Sequence, residues 1–311
     1  MNQFLDIARG AHSRLPPQTR STLASFLRFV PENLKWGSSY REWRALLTAA
    51  RDHPAIVREH QDRARLAMVT AAARHSRYYR ALFEGEFGAG FKPEHLLDDA
   101  NWTRIPVLTS ASVVAQAHDM CTRPPEELDT GSTGGSSGKP VKFYLDRNRS
   151  PIEYAFVHDT WSRAEFRAGD PRCVFRGVEL SNAAETHIEY DPALAQLRCS
   201  VFHLVDATMR GYYDEIVDRG IRFIHGYPSA MAIFAAFLVR ASLAPLSQIS
   251  GVFLTSERFS ADQCDVVRQA FDRATLVPFY GQREGGICLR TARRSGPVRV
   301  RSALRLHRTS R

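Results

Sequence analysis

Between residues 172 and 279, short β-rich runs alternate with helical segments that carry their own start and stop signals, and this leaves few folds open. Arg172–Arg176, Cys199–Leu204, Ile221–His225, Gly251–Thr255 and Thr275–Phe279 read as strands. Asp206 is placed to cap a helix with Met209, Tyr212, Tyr213 and Ile216 on one face, and Gly220 to stop it. Pro228 suits the first turn of a helix whose apolar stripe is Met231, Phe234, Ala235 and Leu238. Ser260 and Gln263 form a capping box for a helix through Ala274, with Cys264, Val267 and Phe271 inward. Repeated β–α–β order predicts a largely parallel sheet covered by helices, with Thr275–Phe279 as its last strand. In such sheets ligands bind beyond the carboxyl ends of the strands. Gly226–Ser229, Thr255–Glu257 and Tyr280–Glu284 each follow a strand, so distant segments are expected to converge on one edge.

The first 130 residues have a different texture. Ile56–Ser76 carries Val57, Ala64, Ala67, Met68 and Ala71 at helical spacing, and Thr109 and Ser110 suit the start of a short helix through Ala117. The expected organisation is a mainly helical region over 1–128, an α/β core over 129–286, and a distinct tail over 287–311. The fold class is therefore α/β, a helical N-terminal region followed by a mainly parallel sheet flanked by helices.

Between the two textures lies Thr133-Gly134-Gly135-Ser136-Ser137-Gly138-Lys139-Pro140, running straight into the strand-like Val141–Asp146. Glycines let a backbone approach a ligand closely, and successive N–H groups in a turn make a concavity suited to phosphate. Hydroxyls and the Lys139 charge add to that chemistry. The loop is not a P-loop, because Thr133 and Pro140 stand where Gly and Ser/Thr are required. It is not a dinucleotide fingerprint either, because it opens a strand rather than a helix. A surface Gly/Ser linker is the plain alternative, which Lys-Pro and the immediate strand disfavour.

The stretch resembles the T-S-G-[ST]-T-G-K-P signature of the adenylate-forming (AMP-binding) superfamily, with Gly134 and Ser137 as departures. Further blocks occur in the expected order. They are Gln61, Arg65 and Leu66, then Tyr78-Tyr79-Arg80, then Ile105-Pro106-Val107-Leu108-Thr109, then His225–Ala230, and finally Tyr280-Gly281-Gln282-Arg283-Glu284. Together they are similar to the phenylacetate–CoA ligase-like branch, in particular proteins linked to capsular polysaccharide biosynthesis, over roughly residues 35 to 286.

That resemblance implies an ATP-dependent ligase that activates a carboxylate as an acyl-adenylate, with Mg²⁺ and, for an acyl-CoA ligase type, CoA. By it Thr133, Gly135, Ser136, Ser137 and Gly138 hold the β- and γ-phosphates, and Lys139 offsets the charge of departing pyrophosphate. Tyr280 stacks on adenine within Tyr280–Arg283, and Glu284 binds the metal. Arg283 replaces the Thr that addresses the α-phosphate; its planar fork grips phosphate, but with more bulk. Ser256 and Glu257 line the nucleotide pocket by the same resemblance, although a strand-end Ser-Glu equally suits helix capping. Tyr227, Pro228 and Ser229 fall near the acyl pocket, and Ser229 also fits an early helical turn. His225 reads as a structural histidine at a strand end. His187 lacks a second His at helical spacing, so no metal is assigned to it.

Charge sets limits on partners. The net charge is +9, with 42 basic against 33 acidic residues, but eight arginines lie in residues 290–311 and none of the acids does. The remainder carries 34 basic against 33 acidic residues and is nearly neutral. A polyanion binder acting through that tail is an alternative reading, and nucleic acid is otherwise not expected. Five scattered cysteines make no zinc-type cluster. No apolar run is long enough for a membrane span, and Met1–Val30 lacks the pattern of a signal peptide, so cytoplasm is expected. After Glu284 the text shows no ribose-binding Asp and no C-terminal cap with its catalytic Lys. A truncated family member, with a non-catalytic nucleotide-binding remnant as the further alternative, is the expectation.

Overall fold

The computed structural model describes residues 32–132, 141–146, 149–177, 180, 186–192, 194–281, 287–290 and 300–301. The chain divides into two compact units, one holding the described residues of Met1–Arg44, Tyr154–Gly281 and Ile287–Arg301, the other those of Ala45–Glu153.

In chain order the helices are α1 (Glu32–Asp52), α2 (Ala55–His75), α3 (Arg77–Phe87), the single turn α4 (Asp99–Trp102), α5 (Ser110–Gln116), α6 (Arg149–Trp161), α7 (Asp206–Asp218), α8 (Pro228–Arg240) and α9 (Ala261–Ala270). Strands β1 (Asp129–Ser132) and β2 (Lys142–Leu145) pair antiparallel. A six-stranded sheet has the order β4 (Ile188–Asp191), β5 (Gln196–Cys199), β3 (Arg172–Phe175), β6 (Phe223–Gly226), β7 (Gly251–Leu254) and β8 (Thr275–Pro278). All its neighbours are parallel except β4, which runs antiparallel to β5 at the edge. This is the predicted parallel sheet. Every residue of β3, β6 and β7 is buried, as expected for parallel strands covered on both faces.

One face packs against α7, α8 and α9. Met231, Phe234, Ala235 and Leu238 of α8 are the expected stripe, joined by Tyr212 and Ile216 of α7 and Val267 of α9. The other face carries an aromatic stack. Trp161 lies parallel to Phe253 with ring centroids 4.4 Å apart, and Phe166 and Phe223 pack edge-on and beside it. Burial of rings on this scale supplies much of a core's stabilisation. His158 of α6 is buried here, and Tyr40 Oη lies 2.9 Å from its Nδ1.

In the helical unit, Ser76 ends α2 and caps α3, accepting from Tyr79 N–H while donating to the Asp119 carbonyl. The cap expected at Thr109 forms with Ser112. A cleft of about 570 Å³ opens between α5 and the β1–β2 hairpin, lined in part by Leu108, Val113, Met120 and Phe143.

Several expectations need correction. The helix expected over Ile56–Ser76 is α2, but its buried face centres on Val69, with Met68 of the expected apolar residues and Ala72 and Ala73 beside it. Alanines offer too little apolar area to set the orientation of a helix against Phe83 and Leu96. The strand expected over Cys199–Leu204 lies earlier, at Gln196–Cys199. From Ser200 the chain turns, held by Ser200 N–H to the His187 carbonyl, Tyr212 O–H to the Ser200 carbonyl, and Ser200 Oγ beside His203 Nδ1. Asp206 is not the cap of α7. The N-cap is Val205, whose N–H reaches Thr208 Oγ1, and Asp206 pairs with Arg240. Helix α9 stops at Ala270, four residues short, because Phe271 leaves helical geometry to enter the core. Thr275–Phe279 is the last strand of the parallel sheet, as Thr275–Pro278, but it is not the last of the chain. β9 (Tyr280–Gly281) pairs antiparallel with β10 (Ile287–Arg290), which pairs with β11 (Val300–Arg301).

Two outcomes follow. A Cβ on Gly226 would stand 2.8 Å from both the Cβ and the carbonyl oxygen of Phe175, so Gly226→Ala should cost about 1–3 kcal/mol, read as a lower urea midpoint at unchanged m. Burial first, then the Arg172 and Arg44 charges, push the His158 pKa down to about 3 from an unfolded value of 6.5. The fold thus favours the neutral ring. Its contribution is complete above pH 6.5 and is lost as pH falls toward 3, with a slope of up to about 1.4 kcal/mol per pH unit. Urea midpoints across this window should fall less steeply in His158→Gln.

Candidate functional site

The order β5-β3-β6 fixes where this sheet can bind. The chain moves outward from β3 to β5, then returns past β3 to lay β6 on its other side and continues through β7 to β8. The reversal falls between β3 and β6, and in an open parallel sheet the crevice at such a reversal, beyond the carboxyl ends, is where ligands sit. Arg176 and Gly177 follow β3 there, and Tyr227, Pro228 and Ser229 follow β6.

Gly226 is required by the close approach of β6 to β3; its backbone is not in the left-handed region. Pro228 opens α8 as its first residue, where the missing N–H costs nothing. Tyr227 precedes it, with the Arg176 guanidinium 6.0 Å from the ring centroid. Ser229 is the second residue of α8, the early-turn position. Its N–H and its hydroxyl both donate to the Glu257 carboxylate, each at 3.0 Å. Glu257 therefore caps a helix, but it is α8 rather than the helix that follows it, α9, whose own cap is Ser260. The carboxylate also meets the positive end of the α8 dipole.

Ser256, which presents Glu257, has φ of 70°, a left-handed conformation uncommon for a non-glycine residue. Thr255 before it is buried, and its N–H continues the ladder to the Gly226 carbonyl. The structure thus joins three of the singled-out segments: Tyr227–Ser229, Ser256–Glu257, and, through the Phe279 N–H bonded to the Leu254 carbonyl, the start of Tyr280–Gly281. Gly281 is exposed, and a Cβ there would meet nothing within 4 Å.

Other predicted residues fall outside the described residues: Thr133, Gly135, Ser136, Ser137, Gly138 and Lys139 in the glycine loop, and Gln282, Arg283 and Glu284 after β9. The ends of the glycine loop are defined. β1 leads to it and β2 leaves it, with Ser132 opposite Lys142.

His225 is buried, and burial first, then the Arg176 and Arg172 charges, hold its pKa well below the usual histidine range. Its ring stands edge-on to Trp161 at 4.9 Å. Arg176 and Trp161 also stand at this edge, and neither belongs to the site residues expected from the sequence. A basic residue ending a central strand was the available signal for the first. For the second there was none, since a lone helical Trp reads only as core.

No protein-family model matches the chain, and no curated protein matches it in sequence. Among solved structures it is similar to 2-hydroxyisobutyryl-CoA ligase in complex with 2-HIB-AMP and CoA in the thioesterification state. The TM-score is 0.53 and the identity 17%, covering 77% of this chain and 52% of that one. An open conformation of the same ligase with 2-HIB-AMP and CoA gives a TM-score of 0.52 and 18% identity, over 78% of this chain and 57% of that one. The postadenylation state with 2-HIB-AMP gives 0.52 and 16%, over 77% and 52%. The chain spans roughly half the length of these structures. It has the α/β fold of the large domain of adenylate-forming ligases.

The Ser229–Glu257 contact has its own test. Glu257→Ala and Ser229→Ala should each destabilise the chain by about 0.5–2 kcal/mol, as the loss of a helix cap does. The double variant should cost clearly less than their sum, because Ser229→Ala removes the hydroxyl bond, which is one of the two that Glu257→Ala removes, and leaves the backbone N–H bond in place. Additive costs in urea unfolding would show that the hydroxyl–carboxylate bond carries no stability.

Proposed function

We propose that the chain binds ATP and belongs by chemistry to the carboxylate-activating, acyl-adenylate-forming ligases, of the phenylacetate–CoA ligase-like type and related to capsular polysaccharide biosynthesis. The observation that supports it best is the strand-order reversal between β3 and β6, with the Tyr227–Ser229 and Ser256–Glu257 blocks tied together at that edge. The fold shared with a CoA ligase supports the same reading.

The residues present fit a nucleotide. At exposed Gly281 the backbone is open to a planar ring. Glu257 is held by Ser229 and so positions α8, which leaves Glu284 as the ligand for Mg²⁺ in this reading. Thr133, Gly135, Ser136, Ser137 and Gly138 offer hydroxyls and amides to the β- and γ-phosphates, and Lys139 offers charge. Tyr280 takes the adenine. The chemistry of the class is attack of a carboxylate oxygen on the α-phosphorus with loss of pyrophosphate. Little covalent work falls to the protein in such a step; orientation and charge stabilisation dominate. An acceptor such as CoA would take the acyl group afterwards.

Arg283 is the residue of this chain that departs from the pattern at the reacting phosphate, and it makes turnover slow in this reading. MgATP binding by calorimetry should be measurable and should weaken in Lys139→Ala, which removes charge, and in Gly135→Val, which blocks backbone approach. Carboxylate-dependent pyrophosphate exchange should be near background and rise about tenfold or more in Arg283→Thr, since one donor to developing charge is commonly worth about a hundredfold. Wild type and both loop variants that bind indistinguishably would reject the reading.

A further inference from the structure

At the reversal between β3 and β6, on the sheet face covered by α6, three buried side-chain nitrogens have no hydrogen-bond partner among the described residues: Trp161 Nε1, Arg176 Nε and His225 Nε2. Each can donate. Trp161 is 1% and His225 7% exposed. They are neighbours. The indole and imidazole rings stand 4.9 Å apart, and Val174, the register partner of His225, is two residues from Arg176 along β3. The pleat carried one residue past β3 puts Arg176 on the His225 side. The Arg172 guanidinium lies 5.3 Å from the Trp161 ring centroid, and both arginines bear on His225.

Buried donors left without an acceptor cost about 1–3 kcal/mol each, so three gathered at one place call for a common acceptor. The Arg176 guanidinium makes that acceptor an anion, and charge-assisted bonds offset its desolvation. We infer that Trp161, Arg176 and His225 form a pocket for an ionised carboxylate of a small organic acid, one that keeps its charge while bound. A carboxylate being adenylated loses its charge as the mixed anhydride forms, which would leave the Arg176 guanidinium uncompensated. Where the chain acts as a ligase, the pocket therefore reads a second acid group, and the acyl substrate is of the dicarboxylic class. That last step rests on the ligase reading; the pocket does not. Arg176, half-buried at the strand end, is the side chain whose movement admits the ligand.

The test follows the indole N–H of Trp161 in the ¹⁵N-labelled full chain, assigned by its loss in Trp161→Phe or, should that variant not fold, by its proximity to Phe253. Acetate, succinate and sulfate are titrated near neutral pH at fixed ionic strength, with and without MgATP. The expected result is a saturable shift of the Trp161 resonance with acetate and succinate, unchanged by MgATP, while the indoles of Trp36, Trp43 and Trp102 stay in place. Arg176→Gln, at the edge of the fold, should weaken the apparent affinity about tenfold or more. No saturable shift, an equal shift of all four indoles, a stronger response to sulfate, loss of the shift with MgATP, or an unaltered Arg176→Gln chain would each overturn the pocket. Because binding is read without ATP, failure of nucleotide binding leaves this result intact.

Discussion

The close approach of β6 to β3 is the constraint on which the rest of the molecule depends. With no side chain at Gly226, β6 lies against Phe175 closely enough that the Tyr227 N–H still reaches the Phe175 carbonyl beyond the last paired residue. Phe175 can then fill the space toward Phe234, at 4.9 Å, and Tyr212, at 5.7 Å. The α7 and α8 helices are seated by those rings. On the opposite face the same pairing holds His225 beside Trp161, and Trp161 against Phe253. A single glycine thereby sets the spacing of two cores and the position of the crevice above them.

At the edge, polar contacts rather than apolar burial hold the geometry. Glu257 arrives on a residue in left-handed conformation and bonds twice to the first turn of α8. Such strain is kept only where surrounding structure determines it, and it gathers at functional loops. The loops after β6 and β7 are thus fixed to each other. Beneath them lie Trp161 Nε1, Arg176 Nε and His225 Nε2, which have no acceptor among the described residues, so the edge combines a braced rim with a floor of donors.

How much of this was legible in the residues depends on the kind of interaction involved. Strands flanked by Gly, Pro and hydroxyl caps were plain, because the signals are local: Pro228 at a first turn, Ser260 with Gln263, and Gly220, which does stop α7 with φ of 58°. The structure departs from the local signals where a side chain distant in sequence decides the outcome. Tyr212 draws the chain out of strand geometry at Ser200, and Arg240 takes Asp206 away from a capping role. At the site, the segments could be placed at strand ends, but not the bond between Ser229 and Glu257, since either reading of each residue was locally sound. The alternation in the sequence indicated parallel strands without revealing their spatial order, and so it hid the reversal beside Arg176.

The strand order also bears on how the chain reaches this state. β3 is the first strand of the six in sequence yet lies inside the sheet, so it is made with both of its edges open and gains neighbours only after β5 and then β6 follow. Parallel pairing closes long loops before any contact rewards them, which slows folding. Until then Cys173, Val174 and Phe175, all buried in the native sheet, form an exposed apolar edge of the sort that promotes association. The thiols of Cys173 and Cys199, 3.4 Å apart once β5 is in register, come together at the step that closes the first of those edges.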